Sequence, residues 1–308
     1  MGAAVELQNV TKKIKGKTII DQVSFEVNKG EVFGFLGPNG AGKTTTIRMI
    51  VGLIGITEGD IKICGTSIKQ DFEKAIGNIG AIVENPEMYK FLTGYQNLLH
   101  YSRMSKGISK EKIKEVVELV GLSDRIHEKV KTYSLGMRQR LGLAQSLLHD
   151  PDVLILDEPT NGLDPAGIRE IRDHLRKLAR ERNMAVIVSS HLLSEMEMMC
   201  DRIGIIQKGK LIDVQLVRDF VNNTEKVYEF EVTDKEKAKE IVTLLRSDIE
   251  VQLTEQGIAL PSVKEEIPKV VNALVKENVS IYGIKEVTKS LEDRFLEVTT
   301  EKEVVVHG

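Results

Sequence analysis

Residues Gly37-Pro38-Asn39-Gly40-Ala41-Gly42-Lys43-Thr44 fit the pattern G-x-x-x-x-G-K-[ST], a glycine-rich loop that cradles phosphate. The flanks match the context this loop requires. Glu31-Val32-Phe33-Gly34-Phe35-Leu36 precedes it, a short, mostly apolar run that reads as a buried strand. After it, Ile47, Ile50, Val51 and Ile54 recur at i, i+3, i+4 and i+7 and predict a helix with one apolar face. A glycine-rich turn could match by chance, but not readily between a strand and a helix.

The residue types explain the chemistry. Gly37, Gly40 and Gly42 let the backbone wrap closely around an anion. Successive backbone N–H groups of the loop turn inward, Pro38 alone lacking one, and the helix starting near Lys43 aims its positive end at the same point. Lys43 adds charge near the β- and γ-phosphates. Thr44, followed by Thr45, offers a hydroxyl to Mg²⁺.

The wider composition sets bounds. At 308 residues the expectation is about two domains. Apolar residues make up 41%, enough for ordinary cores, and no apolar run approaches the roughly 18 residues of a membrane span. The first residues lack the basic-then-apolar pattern of a secretory signal, and Glu6 stands where a myristoylation motif wants Ser or Thr. Cys64 and Cys200 lie far apart in apolar surroundings, which favours free thiols over a disulfide or zinc site. A net charge of −3 shows no basic bias toward nucleic acid.

Along the chain, Val5 and Leu7, then Val23, Phe25 and Val27, alternate as half-buried strands about a turn at Lys15-Gly16-Lys17. Ile61 to Ile63 and Ile79 to Val83 add strands. From about residue 91 to 150 the pattern turns helical, with Ile113, Val116, Val117 and Val120 on one face and Gly121 as a stop. Apolar strands return at 153–156, 185–188 and 203–206, with a helix face of Ile168, Ile171, Leu175 and Leu178 between the first two. Buried strands alternating with helices imply a parallel-rich sheet covered on both sides. The reading is α/β: a nucleotide-binding core over 1–215 with a helical subdomain at about 91–150, a polar connection over 216–225, and an accessory domain over 226–300. That last domain runs β-α-β-β-α-β, a small α+β split-βαβ fold. A short helix is expected over Leu291 to Phe295 and a frayed tail over 301–308.

Val153-Leu154-Ile155-Leu156-Asp157-Glu158 is a buried strand ending in two acids. Beside a phosphate loop, Asp157 can hold Mg²⁺ and Glu158 can orient or deprotonate an attacking water. Acids are also common where strands meet loops; the pairing with the phosphate loop favours function. His191 follows the strand at 185–188, on the sheet edge where ligands gather. A neutral imidazole there could donate to a γ-phosphate oxygen, although a lone histidine is more often structural.

Together these residues resemble the ATP-binding subunit of ABC transporters over most of residues 5–215. The motifs run in the family's order: the phosphate loop, a signature-like Tyr133-Ser134-Leu135-Gly136-Met137-Arg138-Gln139-Arg140, the Asp157-Glu158 strand, a D-loop-like Asn161-Gly162-Leu163-Asp164, and the switch His191. Ser290 to Leu296 and the extra domain resemble the branch of bacitracin-, lantibiotic- and daunorubicin-type exporters. The resemblance implies ATP hydrolysis coupled to transport, with two ATP-binding subunits, identical or different, facing head to tail. Ser134 and Gly136 of one subunit, with Asp164 nearby, would complete the partner's ATP site. It implies a membrane-spanning permease partner, a peripheral place on the cytoplasmic face of the membrane, and no nucleic acid.

The sequence departs from the family in places. Leu135 and Met137 replace the usual glycine and glutamine of the signature. Glu84 stands at the Q-loop glutamine, where a carboxylate can still meet Mg²⁺ or the lytic water. Ile14 stands where an aromatic residue would stack on adenine. A soluble ABC ATPase acting on ribosomes or nucleic acid is the alternative. Against it stand the single phosphate loop and the lack of coiled-coil heptads between Thr44 and Tyr133. The accessory domain reads as a ligand sensor, a dimer strut or a partner-docking surface, a dimer-stabilising appendage being the favoured of the three.

Overall fold

The computed structural model describes residues 2–105, 107–222, 226–262 and 264–288. The helix expected at Leu291 to Phe295, the tail and residues 223–225 lie outside them. In chain order the elements are β1 (Val5–Ile14), β2 (Lys17–Val27), β3 (Val32–Leu36), α1 (Lys43–Ile50), β4 (Glu58–Ile63), β5 (Thr66–Ser67), α2 (Phe72–Ile76), β6 (Ile79–Ile82), α3 (Gly94–Ser102), α4 (Lys110–Leu119), α5 (Leu135–Ser146), β7 (Val153–Asp157), α6 (Pro165–Arg182), β8 (Ala185–Ser190), α7 (Leu193–Met199), β9 (Arg202–Gln207), β10 (Lys210–Leu216), α8 (Val217–Asn222), β11 (Lys226–Val232), α9 (Lys235–Leu245), β12 (Gln252–Leu253), β13 (Gly257–Pro261), α10 (Ile267–Lys276) and β14 (Ile281–Thr288). The chain divides into two compact units, Met1–Arg218 and Asp219–Gly308.

The first unit holds two sheets. One runs β10-β9-β3-β8-β7-β6, parallel except for β10. Every residue of β3, β7 and β8 is buried, as their continuous apolar character requires of strands covered on both faces. The second sheet, β2-β1-β4-β5, is antiparallel. The sheets share one core, in which Ile20, Val23 and Phe25 join Phe33, Ile155 and Ile187, with Ile47 and Ile50 of α1. Phe25 stacks on Phe33 with centroids 5.2 Å apart. This packing carries the phosphate loop at the exit of β3, beside the exits of β7 and β8.

Helix α1 is shorter than its apolar periodicity suggests. It stops at Ile50 because Gly52 takes a left-handed φ of +73° and its N–H bonds Met49 O. Val51 and Ile54 still pack on the core, from the turn that follows. Between β6 and β7 lie α3, α4 and α5. A capping box of Thr93 and Gln96 opens α3, Ser109 caps α4, and Ser134 caps α5 through the Met137 N–H. Residues 217–222, read above as polar connection, form α8, with Val217 and Phe220 buried. Their two apolar residues are too few to show a period.

In the second unit the sheet order is β12-β13-β11-β14, antiparallel throughout. Placing the last strand beside the first is the split-βαβ arrangement. Its core joins Tyr228, Phe230 and Val232 of β11 to Ala238 and Val242 of α9 and to Val270 and Leu274 of α10. Among the described residues no helix is long and apolar enough to cross a membrane. Both cysteines are free thiols, and burial pushes the Cys200 thiol far above its ordinary range.

Candidate functional site

The phosphate loop has the backbone that an anion cradle needs. Gly40 and Gly42 sit at φ +80° and +114°, a region that side chains disfavour. A Cβ on Gly42 would lie 2.5 Å from Ile20 Cδ1, and one on Gly37 would lie 2.4 Å from Ile206 O. Glycine is therefore required at both positions by close packing under the loop. Lys43 folds back beneath it, donating to Gly37 O at 2.7 Å and Pro38 O at 3.4 Å, with its side chain only 6% exposed.

A cleft of about 300 Å³ opens over the loop, lined by Asn39, Gly40, Gly42, Lys43, Thr44, Thr45, Ile19, Glu158, Asn161 and His191. Glu158 bridges two partners. Its Oε1 lies 3.5 Å from Lys43 Nζ, and its Oε2 lies 2.9 Å from His191 Nδ1. A carboxylate oxygen only accepts, so Nδ1 carries the proton in that contact. A neutral imidazole has one N–H, so the ring cannot also donate from Nε2. The γ-phosphate role read for His191 thus requires it either to release Glu158 or to take a second proton.

Ser189 organises the acids. Its Oγ donates to Asp157 Oδ1 at 2.5 Å and accepts from the Glu158 N–H at 2.9 Å. Asp157 is buried at the end of β7, and Glu158 takes a left-handed φ of +51° with its carboxylate facing Lys43. A strained residue at a strand exit is a recurrent mark of a working site.

A second cavity, of about 400 Å³, is lined by Ser134, Leu135, Gly136, Arg140, Gly162 and Asp164, among others. Ser134 and Asp164 are the N-caps of α5 and α6, so two positive helix ends converge here. Leu135 packs toward Gly162, where an added Cβ would come within 3.1 Å of its Cδ2. A Cβ on Gly136 would touch nothing nearer than 3.8 Å. The replaced glycine therefore leaves the approach at Gly136 open.

Of the sequence candidates that line neither cavity, Gly37, Pro38, Ala41 and Asp157 are close chain neighbours of residues that line the cleft, whereas Glu84 and Ile14 stand apart. Glu84, at φ +67°, pairs its carboxylate with Arg48 on α1. The nearest strong cation captures it, and it does not line the cleft. Ile14 ends β1 at the hairpin tip, 45% exposed, with Lys15 and Gly16 turning the chain. Ile19 of β2 is the apolar residue that reaches the cleft. Ile19, Ser189 and Arg48 escaped the sequence reading. Only Ser189 left a signal, as a hydroxyl directly after a buried strand and two residues before His191.

The ABC transporter family profile matches residues 20–161. An uncharacterized ABC transporter ATP-binding protein of Bacillus subtilis (strain 168), YhcH, is 65% identical over 100% of both chains. The chain belongs to the ABC transporter ATP-binding proteins. The bacitracin transport ATP-binding protein BcrA of Bacillus licheniformis is 39% identical over 97% of this chain and 98% of its own. The lantibiotic transport ATP-binding protein SrtF of Streptococcus pyogenes is 42% identical over 68% and 89%. These relatives fall in the branch that the sequence resembles. Among solved structures, a dimeric ATP-binding cassette in a post-hydrolysis state with ADP and Pi superposes with a TM-score of 0.62 at 26% identity, covering 70% of this chain and 99% of that one. This ABC transporter ATP-binding protein is accordingly an ATPase that binds ATP, and proteins of its family work with membrane permease components and pair.

Proposed function

We propose that two copies of this chain, on the cytoplasmic face of a membrane, power a permease that exports an antimicrobial peptide or drug-like compound or confers resistance to one. The observation that carries the pairing is the separation of two half-sites in one chain. The phosphate cleft and the Ser134–Gly136 cavity share no lining residue. Head-to-tail pairing brings the cavity of one copy over the cleft of the other, so each ATP lies between them. The cargo class rests on the relatives named for bacitracin transport, lantibiotic transport and linearmycin resistance.

In this reading the N–H groups of the phosphate loop and Lys43 hold the phosphates. Glu158 takes a proton from water as the water oxygen bonds to the γ-phosphorus and the bond to the ADP oxygen breaks. His191 leaves Glu158 to donate to the γ-phosphate. The donor set suits Mg²⁺, with the Thr44 hydroxyl at the cleft and the Asp157 carboxylate at the end of β7, oriented by Ser189. Mg²⁺ takes few protein ligands and fills its shell with phosphate and water oxygens. The ion would supply positive charge to the phosphates. Glu84, held by Arg48, is left out of the set.

Affinity capture tests the transport reading. Tagged Glu158→Gln protein, expressed in its own cells with ATP present, is expected to bring a multi-span membrane protein out of gently solubilised membranes. Recovery of ribosomes or nucleic acid without a membrane partner overturns it.

A further inference from the structure

Glu195 is a buried acid to which the site described above gives no task. It stands on α7 with 8% of its surface exposed. A buried carboxylate persists where hydrogen bonds replace its hydration. Here one oxygen does so, for Oε2 accepts from Thr160 Oγ1 at 2.7 Å and from Ser190 Oγ at 2.9 Å. Both hydroxyls are themselves buried. Such hydroxyls commonly satisfy themselves on nearby backbone, yet these two reach a third element together.

Their positions give the contact its meaning. Thr160 follows Glu158 by two residues, in the turn that runs on to Gly162 and Asp164 of the second cavity. Ser190 immediately precedes His191, and its Oγ also accepts from the Leu192 N–H at 3.0 Å, bracketing the histidine. One carboxylate oxygen thus ties the loop leaving β7 to the loop leaving β8. It does so beside the point where Glu158 and His191 meet at 2.9 Å.

We propose that Glu195 is a positioning residue for ATP hydrolysis, fixing the loop that carries Glu158 relative to the loop that carries His191 and joining both to the Gly162–Asp164 turn of the second cavity. The inference rests on the roles given to Glu158 and His191 under Proposed function. Phosphate binding depends on a separate loop, so loosening this tie slows turnover without weakening nucleotide binding. Misplacements of about 1 Å cost rate steeply.

The test uses the full chain at concentrations that favour pairing, with steady-state ATP turnover and titration of a fluorescent ATP analogue. Glu195→Ala is expected to lower kcat about 10-fold or more, with KM and analogue affinity moved by less than about 2-fold. Glu195→Gln, which keeps an acceptor oxygen, is expected to recover most of the rate. Thr160→Val added to Glu195→Ala is expected to cause no further loss, because both act through one contact. Wild-type turnover in Glu195→Ala, a Gln variant as slow as Ala, or equal losses in kcat and affinity overturn the proposal. If Glu195→Ala does not fold, Thr160→Val and Ser190→Ala decide: slowed turnover with intact affinity supports it, and unchanged turnover in both overturns it. Glu158→Gln separates the two readings. Normal turnover there removes the catalytic assignment, whereas an inactive Glu158→Gln beside a fully active Glu195→Ala removes only the role of Glu195.

Discussion

Glu158→Gln is expected to lower ATP turnover by about 10²–10⁴-fold, the range that a positioned general base contributes, while ATP still binds. The carboxylate lies between Lys43 and His191, at 3.5 and 2.9 Å, on a backbone anchored by Ser189. Glutamine keeps the shape and one acceptor oxygen but cannot take a proton from water. It also removes the negative charge beside Lys43, so nucleotide affinity is expected to hold or tighten. Rapid-quench turnover with a parallel binding titration checks both halves. Turnover near wild type would remove Glu158 from the role of base.

Lys43→Ala is expected to weaken ATP binding by about 30-fold or more. The estimate follows from about 2–5 kcal/mol for removing one partner of a buried, hydrogen-bonded charge pair. Lys43 is already held in place by Gly37 O and Pro38 O, so little ordering entropy is lost when phosphate arrives. Alanine leaves the glycine backbone of the cradle intact, which isolates the charge from the loop conformation. Fluorescent-nucleotide titration measures the loss. Unchanged affinity would mean that the N–H groups of the loop bind phosphate alone.

Much of this was legible in the sequence wherever local chemistry decides local structure. The strand, glycine loop and helix around Gly37–Thr44 follow from burial and from backbone freedom at Gly40 and Gly42. The β-α-β-β-α-β order of the accessory domain follows from alternation at Tyr228, Phe230 and Val232 and from helical spacing at Val270 and Leu274. What escaped depends on contacts between distant segments. Nothing near Glu84 announces that Arg48, 36 residues away in sequence, takes its carboxylate. Glu195 reads as an ordinary polar residue until β7 and β8 bring their loops together. Strand β10 is a half-exposed edge strand and shows no burial period, and α8 is too short to show one. The tip of the β1–β2 hairpin places Ile19, not Ile14, at the cleft, which sequence spacing to the phosphate loop cannot reveal.

In the proposed pairing each ATP site is shared between two copies of this chain, and mixing two disabled variants tests that division. Lys43→Ala disables the phosphate cleft, and Ser134→Arg blocks the facing cavity. Each variant alone is expected to be nearly inactive, for every site in its pairs lacks one half. A mixed pair places one wild-type cleft against one wild-type cavity. An equal mixture is therefore expected to regain about a quarter of the wild-type sites, given random pairing about a two-fold axis. Recovery near that level, dependent on the mixing ratio, is the predicted result. No recovery at any ratio, or high activity in Ser134→Arg alone, would contradict a site divided between two copies.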